Sequence, residues 1–231
     1  MRSLLSMLKL YRMNENLRKS IVLYATDESE QLERFLRSLS RPTLESLLID
    51  LMTMYYNDKN SSRLRELSAI YIAGYKPTEE KLGYNGYMQH VDKGIVTYCE
   101  VKPKNTDSRD KKLNGGGSFN DYTPERFERD MKENPKVLTC GFVHGKLIYL
   151  FEFDFLCLKD RLYNLIKRRF PDKVRRPGEY LRSASFSIRD YRDCSSLKAV
   201  FLRKDIERFY DFLSRDLIEA IEDFRRKNAQ D

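Results

Sequence analysis

Residues 84–102 read YNGYMQHVDKGIVTYCEVK, and this stretch decides the fold. β-Branched and aromatic residues flank Asp92-Lys93-Gly94, a strong turn signal, so a β-hairpin is expected here. With Asp92-Lys93 as a two-residue turn, Val91 pairs with Gly94 and paired residue numbers sum to 185. Glu100 then faces Asn85; a three-residue loop would move its partner to Gly86. Side chains alternate in direction along a strand, so Tyr98, Glu100 and Lys102 share one face, with Cys99 and Val101 on the other. Pro103 is expected to end the strand.

On the N-terminal side the period changes. Apolar residues recur at three- and four-residue spacing over the first ~80 positions, the mark of amphipathic helices. A first helix carries Leu4, Leu5, Leu8 and Tyr11 or Arg12 on one face, and a second, after Thr26-Asp27, buries Leu32, Phe35, Leu36 and Leu39. A third opens at Pro42-Thr43 with Leu44, Leu47, Leu48, Leu51, Met52 and Tyr55 as its core stripe. Ser61-Ser62 cap a fourth, spanning about 63–74.

Beyond the hairpin, 103–121 reads as a polar loop around Gly115-Gly116-Gly117, and Thr123-Pro124-Glu125 starts a helix that ends before Pro135. Residues 137–155 read as two strands joined at His144-Gly145, 158–170 as a helix, and 171–195 as irregular. A strand at 196–202 and a long helix at 206–226 close the chain. The expected fold is therefore a single α/β domain over 1–231, with a mixed central β-sheet flanked by helices and a helical N-terminal region. Its parts are helices at 1–80, the sheet and its loops at 81–204, and a closing helix at 205–231.

Composition narrows the chemistry. Hydrophobic residues at 41% suffice for a core, and 43 Lys+Arg against 35 Asp+Glu give a net charge of +8. The surplus is regional: 156–204 holds fourteen bases and five acids, while the remainder is near neutral. That favours a polyanionic partner. No apolar run reaches the ~18 residues of a spanning helix, and the N-terminus lacks a signal-peptide cleavage site, so a cytoplasmic protein is expected. Cys99, Cys140, Cys157 and Cys194 stand far apart and are expected as reduced thiols. With two histidines, no C-x-x-C pair, no G-x-S-x-G elbow and no phosphate loop, carboxylates and lysines must carry any catalysis.

Glu100 and Lys102 have the right chemistry for a phosphodiester. A carboxylate oxygen is a hard ligand for a magnesium ion (Mg2+), and an adjacent amine can orient a water and offset developing charge. Taken alone, the same pair also describes an ordinary surface ion pair. An acidic position on one hairpin strand facing E-x-K on the next resembles the PD-(D/E)XK nuclease superfamily, and the chain length with the EVKPKN context resembles a Type II restriction endonuclease. The resemblance implies Mg2+-dependent, sequence-specific cleavage of double-stranded DNA by a homodimer. It implies Glu100 as metal ligand, the Val101 carbonyl as a further ligand and Lys102 as the catalytic lysine. The family's aspartate falls at position 85, where this chain has Asn85. An engineered Asp-to-Asn change, use of Asp92 instead, and a naturally inactive protein all remain open. Glu66, Glu79 and Glu80 could add a contact to the metal or its water.

For DNA contact, the Arg- and Ser-rich stretch nominates Arg182, Ser183, Ser185 and Arg189, while Lys104 and Asn105 follow the chemistry directly. Two alternatives remain: a repair or recombination nuclease of the same fold, and a non-catalytic DNA-binding protein.

Overall fold

A computed structural model of the chain describes residues 14–26, 28–57, 62–78, 83–92, 94–171 and 175–228. Among the described residues four helices come first: α1 (Glu15–Ala25), α2 (Ser29–Ser38), α3 (Arg41–Asn57) and α4 (Arg63–Ile72). Then follow β1 (Lys76–Pro77), β2 (Gly86–His90), β3 (Ile95–Thr106), β4 (Gly117–Tyr122), α5 (Pro124–Glu133), β5 (Lys136–Val143) and β6 (Lys146–Asp154). The last part holds α6 (Lys159–Arg169), β7 (Leu181–Phe186), β8 (Lys198–Leu202) and α7 (Arg215–Asn228).

The fold is mixed α/β, as expected. Six strands form one sheet in the order β1-β2-β3-β5-β6-β8, and β4 pairs with β7 in a separate ribbon. Within this sheet β3 and β5 run parallel, and α5 provides the crossover that parallel pairing requires. Thr123 caps α5 by accepting from Arg126 N at 3.2 Å, Pro124 begins it, and Asn134 ends it in the left-handed region at φ +43°. His144 and Gly145 turn β5 into β6 with φ of +49° and +77°, both positive as a tight hairpin turn demands.

Helices and loops cover the sheet on both faces. One face packs Leu17, Ile21, Leu67 and Ile70 of the N-terminal helices over Cys99, Val101, Leu138 and Leu150. The other packs Val137, Phe151 and Phe153 under Phe119, Phe186, Tyr191, Leu217 and Ile221.

Several expectations need correction. Pro103 does not end its strand. The Val101 N–H points toward β2, so two residues on the N–H that Pro103 lacks would face the same side, where β2 has already stopped at Gly86. The polar 103–121 loop contains β4 and the irregular 171–195 segment contains β7; Phe119, Tyr122, Ala184 and Phe186 bury one face of the ribbon they form. The long closing helix is broken. A 3₁₀ segment, Ile206–Phe212, precedes α7, and Leu213 is held extended because Leu113 docks there, donating to Phe212 O and accepting from Ser214 N, both at 2.8 Å.

The helical stripes are also less buried than their periodicity implies. Leu32, Phe35, Leu36 and Leu39 are half-buried; on α3 Leu47 is buried, Leu51 is half-buried, and Leu44, Leu48, Met52 and Tyr55 are exposed. α3 is apolar on more than one side, and only the side bearing Leu47 and Met54 packs into the core. The first helix expected from Leu4, Leu5, Leu8 and Tyr11 lies outside the described residues. Cys157 and Cys194 form a disulfide rather than two thiols, because the return from β7 brings their Cα atoms to 5.8 Å. Cys99 and Cys140 are free and buried. Among the described residues, no helix is long and apolar enough to cross a membrane.

One glycine fixes the ribbon in place. A Cβ on Gly116 would stand 1.8 Å from the Phe186 carbonyl oxygen, a backbone atom that cannot swing aside. Gly116→Ala is therefore expected to cost at least the ~1–3 kcal/mol of ordinary overpacking. Thermal unfolding checks this, and an unchanged midpoint would contradict the close approach.

Candidate functional site

The hairpin register is the expected one: Gly86 pairs with Cys99 and His90 with Ile95, so each pair sums to 185, and the Gly86–Cys99 pair lies one step from position 85 and Glu100. Asn85 adjoins the last paired residue and bonds the two residues that flank Glu100. Its N–H donates to Cys99 O at 2.9 Å, its carbonyl accepts from Thr78 N at 3.0 Å, and its Oδ1 accepts from Val101 N at 2.7 Å. The amide side chain thus stands where a next strand residue would have accepted. The Val101 carbonyl points to the same side as its N–H, toward Asn85.

Glu100 and Lys102 share a face, as alternation requires, and Lys102 Nζ donates to Glu100 Oε1 at 2.7 Å. Their side chains are only 8% and 14% exposed, so this is no solvated surface pair. Gly117 packs against the Lys102 stem, since a Cβ there would lie 2.5 Å from Lys102 Cβ, and the ammonium sits 4.4 Å from the centre of the Phe119 ring.

Two participants were missed from the sequence. Arg126 on α5 donates to Glu100 Oε1 at 3.2 Å and to Asn120 O at 3.3 Å, and it faces Asp130 at 3.6 Å. Asp130, one helical turn on, is 1% exposed and accepts from Arg129 at 2.9 Å and from the Tyr84 hydroxyl at 3.0 Å. Burial, with Glu133 and Asp130 beside it, pushes the Tyr84 hydroxyl far above its ordinary range. The signal available was the i,i+4 Arg126–Asp130 spacing on the crossover helix; only the tertiary fold reveals that it is aimed at Glu100.

Could these groups hold a divalent cation? Glu100 Oε2 is buried with no hydrogen-bond partner, a costly state that a hard cation would relieve. Asn85 and the Val101 carbonyl offer neutral oxygens on the adjoining side. Against this, Lys102 and Arg126 already balance the one carboxylate, and no cluster of three His, Cys, Asp or Glu occurs among the described residues. The fit is therefore partial with Asn85 and improves with an acid at that position.

The other nominated residues divide. Lys104 lies on the Glu100 face, donates to Asn114 Oδ1 at 3.1 Å, and is held below the usual lysine range by burial. Asn105 lies on the opposite face, where its Oδ1 accepts from Gly145 N at 3.2 Å. Arg182, Ser183 and Ser185 fall on β7, the partner of β4, whose Gly117 touches Lys102. Arg189 is engaged by Asp216 at 2.6 Å. Asp92 occupies the hairpin turn, at the far end from Glu100, which removes it as a substitute for position 85. Glu66 accepts from Ser62 in its own helix; Glu79 and Glu80 lie outside the described residues.

The regional charge is also tempered in space. Arg175 pairs with Glu125, Lys198 with Glu152 and Arg203 with Asp205, all acids from outside the basic stretch. No family model matches the chain, and no curated protein matches it.

Proposed function

We propose that the chain is a Mg2+-dependent endonuclease acting on double-stranded DNA in the manner of a Type II restriction enzyme. One observation carries this reading: Glu100 and Lys102 stand side by side in a semi-enclosed site, opposite position 85, with one buried carboxylate oxygen unpartnered. A cation bound there would be held by Glu100, the Val101 carbonyl and residue 85, and would supply Lewis-acid activation at the scissile phosphate. Lys102 presents its ammonium to the phosphate or to the attacking water, oriented by Glu100 on one side and Phe119 on the other. Arg126 adds a guanidinium whose side chain is 27% exposed, able to meet a phosphate oxygen. The reading includes a homodimer, since a two-fold protein matches a palindromic site, and a cytoplasmic location.

The test is digestion of plasmid and phage DNA with Mg2+. Discrete fragments are the expected product, whereas structure-dependent nicking would instead favour a repair or recombination nuclease. Lys102→Ala is expected to slow cleavage by about 10²–10³-fold, the span of a lost group that stabilises charge in the transition state. Equal rates would remove Lys102 from the chemistry. One observation favours a second reading: Asn85 is neutral and its oxygen is already used by Val101 N, which suits a protein that binds DNA without cutting it.

A further inference from the structure

The β4–β7 ribbon has two unlike faces. Inward, Gly117, Phe119, Ala184 and Phe186 are buried; outward, Asn120, Ser183 and Ser185 are exposed and Ser118 is half-buried. The register sets Ser118 opposite Ser185 and Asn120 opposite Ser183, so the four form one compact patch. Their hydroxyls are in contact, with Ser118 to Ser183 at 2.5 Å and Ser183 to Ser185 at 3.0 Å. In a chain that is 34% charged, none of these four outward positions bears a charge.

Charge stands around the patch instead. Arg182 is exposed on β7, with no ion-pair partner among the described residues. Arg161 of α6 donates to Ser185 O at 3.1 Å, and Arg126 donates to Asn120 O. Between the strands' ends an opening of about 520 Å³ is lined by Asn120, Asp121, Leu181, Arg182 and Ser183.

We propose that this outward face enters the major groove of duplex DNA, with Ser118, Asn120, Ser183 and Ser185 against base edges and Arg161 and Arg182 against the flanking phosphates. The inference rests on the reading of the chain as a DNA-binding protein and adds the element that does the reading. The major groove is about 12 Å wide and admits a two-stranded ribbon, whose strands lie about 4.8 Å apart. Small outward side chains let the backbone approach closely. Serine hydroxyls donate or accept as the base requires, and Asn120 can pair with adenine through both its amide atoms. Gly117, on the inward face at the start of the ribbon, packs on Lys102, and Arg126 donates both to Asn120 O and to Glu100 Oε1, so the ribbon is tied directly to the catalytic strand.

Fluorescence anisotropy without divalent cation, using a random-sequence duplex pool, provides the test. A second pool carries glucosylated hydroxymethylcytosine, which fills the major groove, and a third arm adds the minor-groove ligand distamycin. The wild-type chain is expected to bind the plain pool, to lose about tenfold or more in affinity on the filled-groove pool, and to ignore distamycin. Selection from the plain pool is expected to yield a motif containing an adenine that Asn120→Ala no longer selects, with unfolding of that variant unchanged. Indifference to the filled groove, displacement by distamycin, or the same motif from both proteins would overturn the ribbon proposal while leaving DNA binding intact. No binding to any pool would overturn both this proposal and the DNA reading beneath it.

Discussion

Asn85→Asp is expected to tighten Mg2+ or Mn2+ binding by at least about tenfold, and to raise DNA cleavage with it. The substitution is nearly isosteric, and the oxygen that accepts from Val101 N is retained, so the hairpin should keep its register. What changes is that the amide NH2 is replaced by a second oxygen, giving an anionic carboxylate beside the Glu100 strand. A unit charge about 4 Å from a cation is worth roughly 4 kcal/mol at an effective dielectric of 20. Lys102 and Arg126 offset part of this, and about 1.4 kcal/mol suffices for a tenfold change. Without metal the two carboxylates repel, so the variant should unfold at a lower temperature in chelator and regain stability as Mg2+ is added. Isothermal titration with Mg2+ and a plasmid digest check both halves. Unchanged affinity together with unchanged cleavage would sink the assignment of position 85.

The hairpin was legible because two independent signals agreed. Asp92-Lys93-Gly94 marked the turn, and a β-branched and aromatic pattern on both sides allowed one register. Val91 and Gly94 lie beyond the last pair, His90 with Ile95, yet the pairing sum is the same. The ribbon was illegible for a local reason. In GSFNDY the inward residues are Gly117, Phe119 and then Tyr122, because Asp121 adopts φ +50° and shifts the alternation by one. With its period broken and its outward residues small and polar, β4 reads as loop. β7 hides similarly, since its inward pair includes the small Ala184.

Periodicity was equally informative about which residues are apolar and silent about which apolar face is used. α3 shows this, with Leu47 buried at 6% exposure and Leu48 at 57% one position on. The same limit applies to charge. A surplus counted along 156–204 cannot reveal that Glu125 and Glu152 come from other elements to neutralise Arg175 and Lys198. At the site, strand alternation was enough to bring Glu100 and Lys102 together, whereas Arg126 arrives from a crossover helix whose rotation about its axis is set only by packing.

That helix is held by Asp130, and Asp130→Asn is expected to be the most destabilising conservative change near the site. The carboxylate is 1% exposed and faces Arg126 at 3.6 Å, Arg129 at 2.9 Å and the Tyr84 hydroxyl at 3.0 Å. Removing one partner of a buried ion pair leaves an uncompensated charge, at a cost of about 3–5 kcal/mol. Arg129, with 45% of its side chain exposed, can turn to water; Arg126, at 27% and packed over Phe119 and Tyr122, has less freedom. At roughly 2–4 °C per kcal/mol for a chain of this size, the unfolding midpoint should fall by roughly 6–20 °C. Arg129→Ala, which removes only the more exposed partner, is expected to shift it far less. Because Arg126 also holds Glu100, Asp130→Asn combined with Arg126→Ala should cost less than the sum of the two single changes. A midpoint within about 2 °C of wild type for Asp130→Asn, or strict additivity in the double variant, would show that Asp130 does not anchor this network.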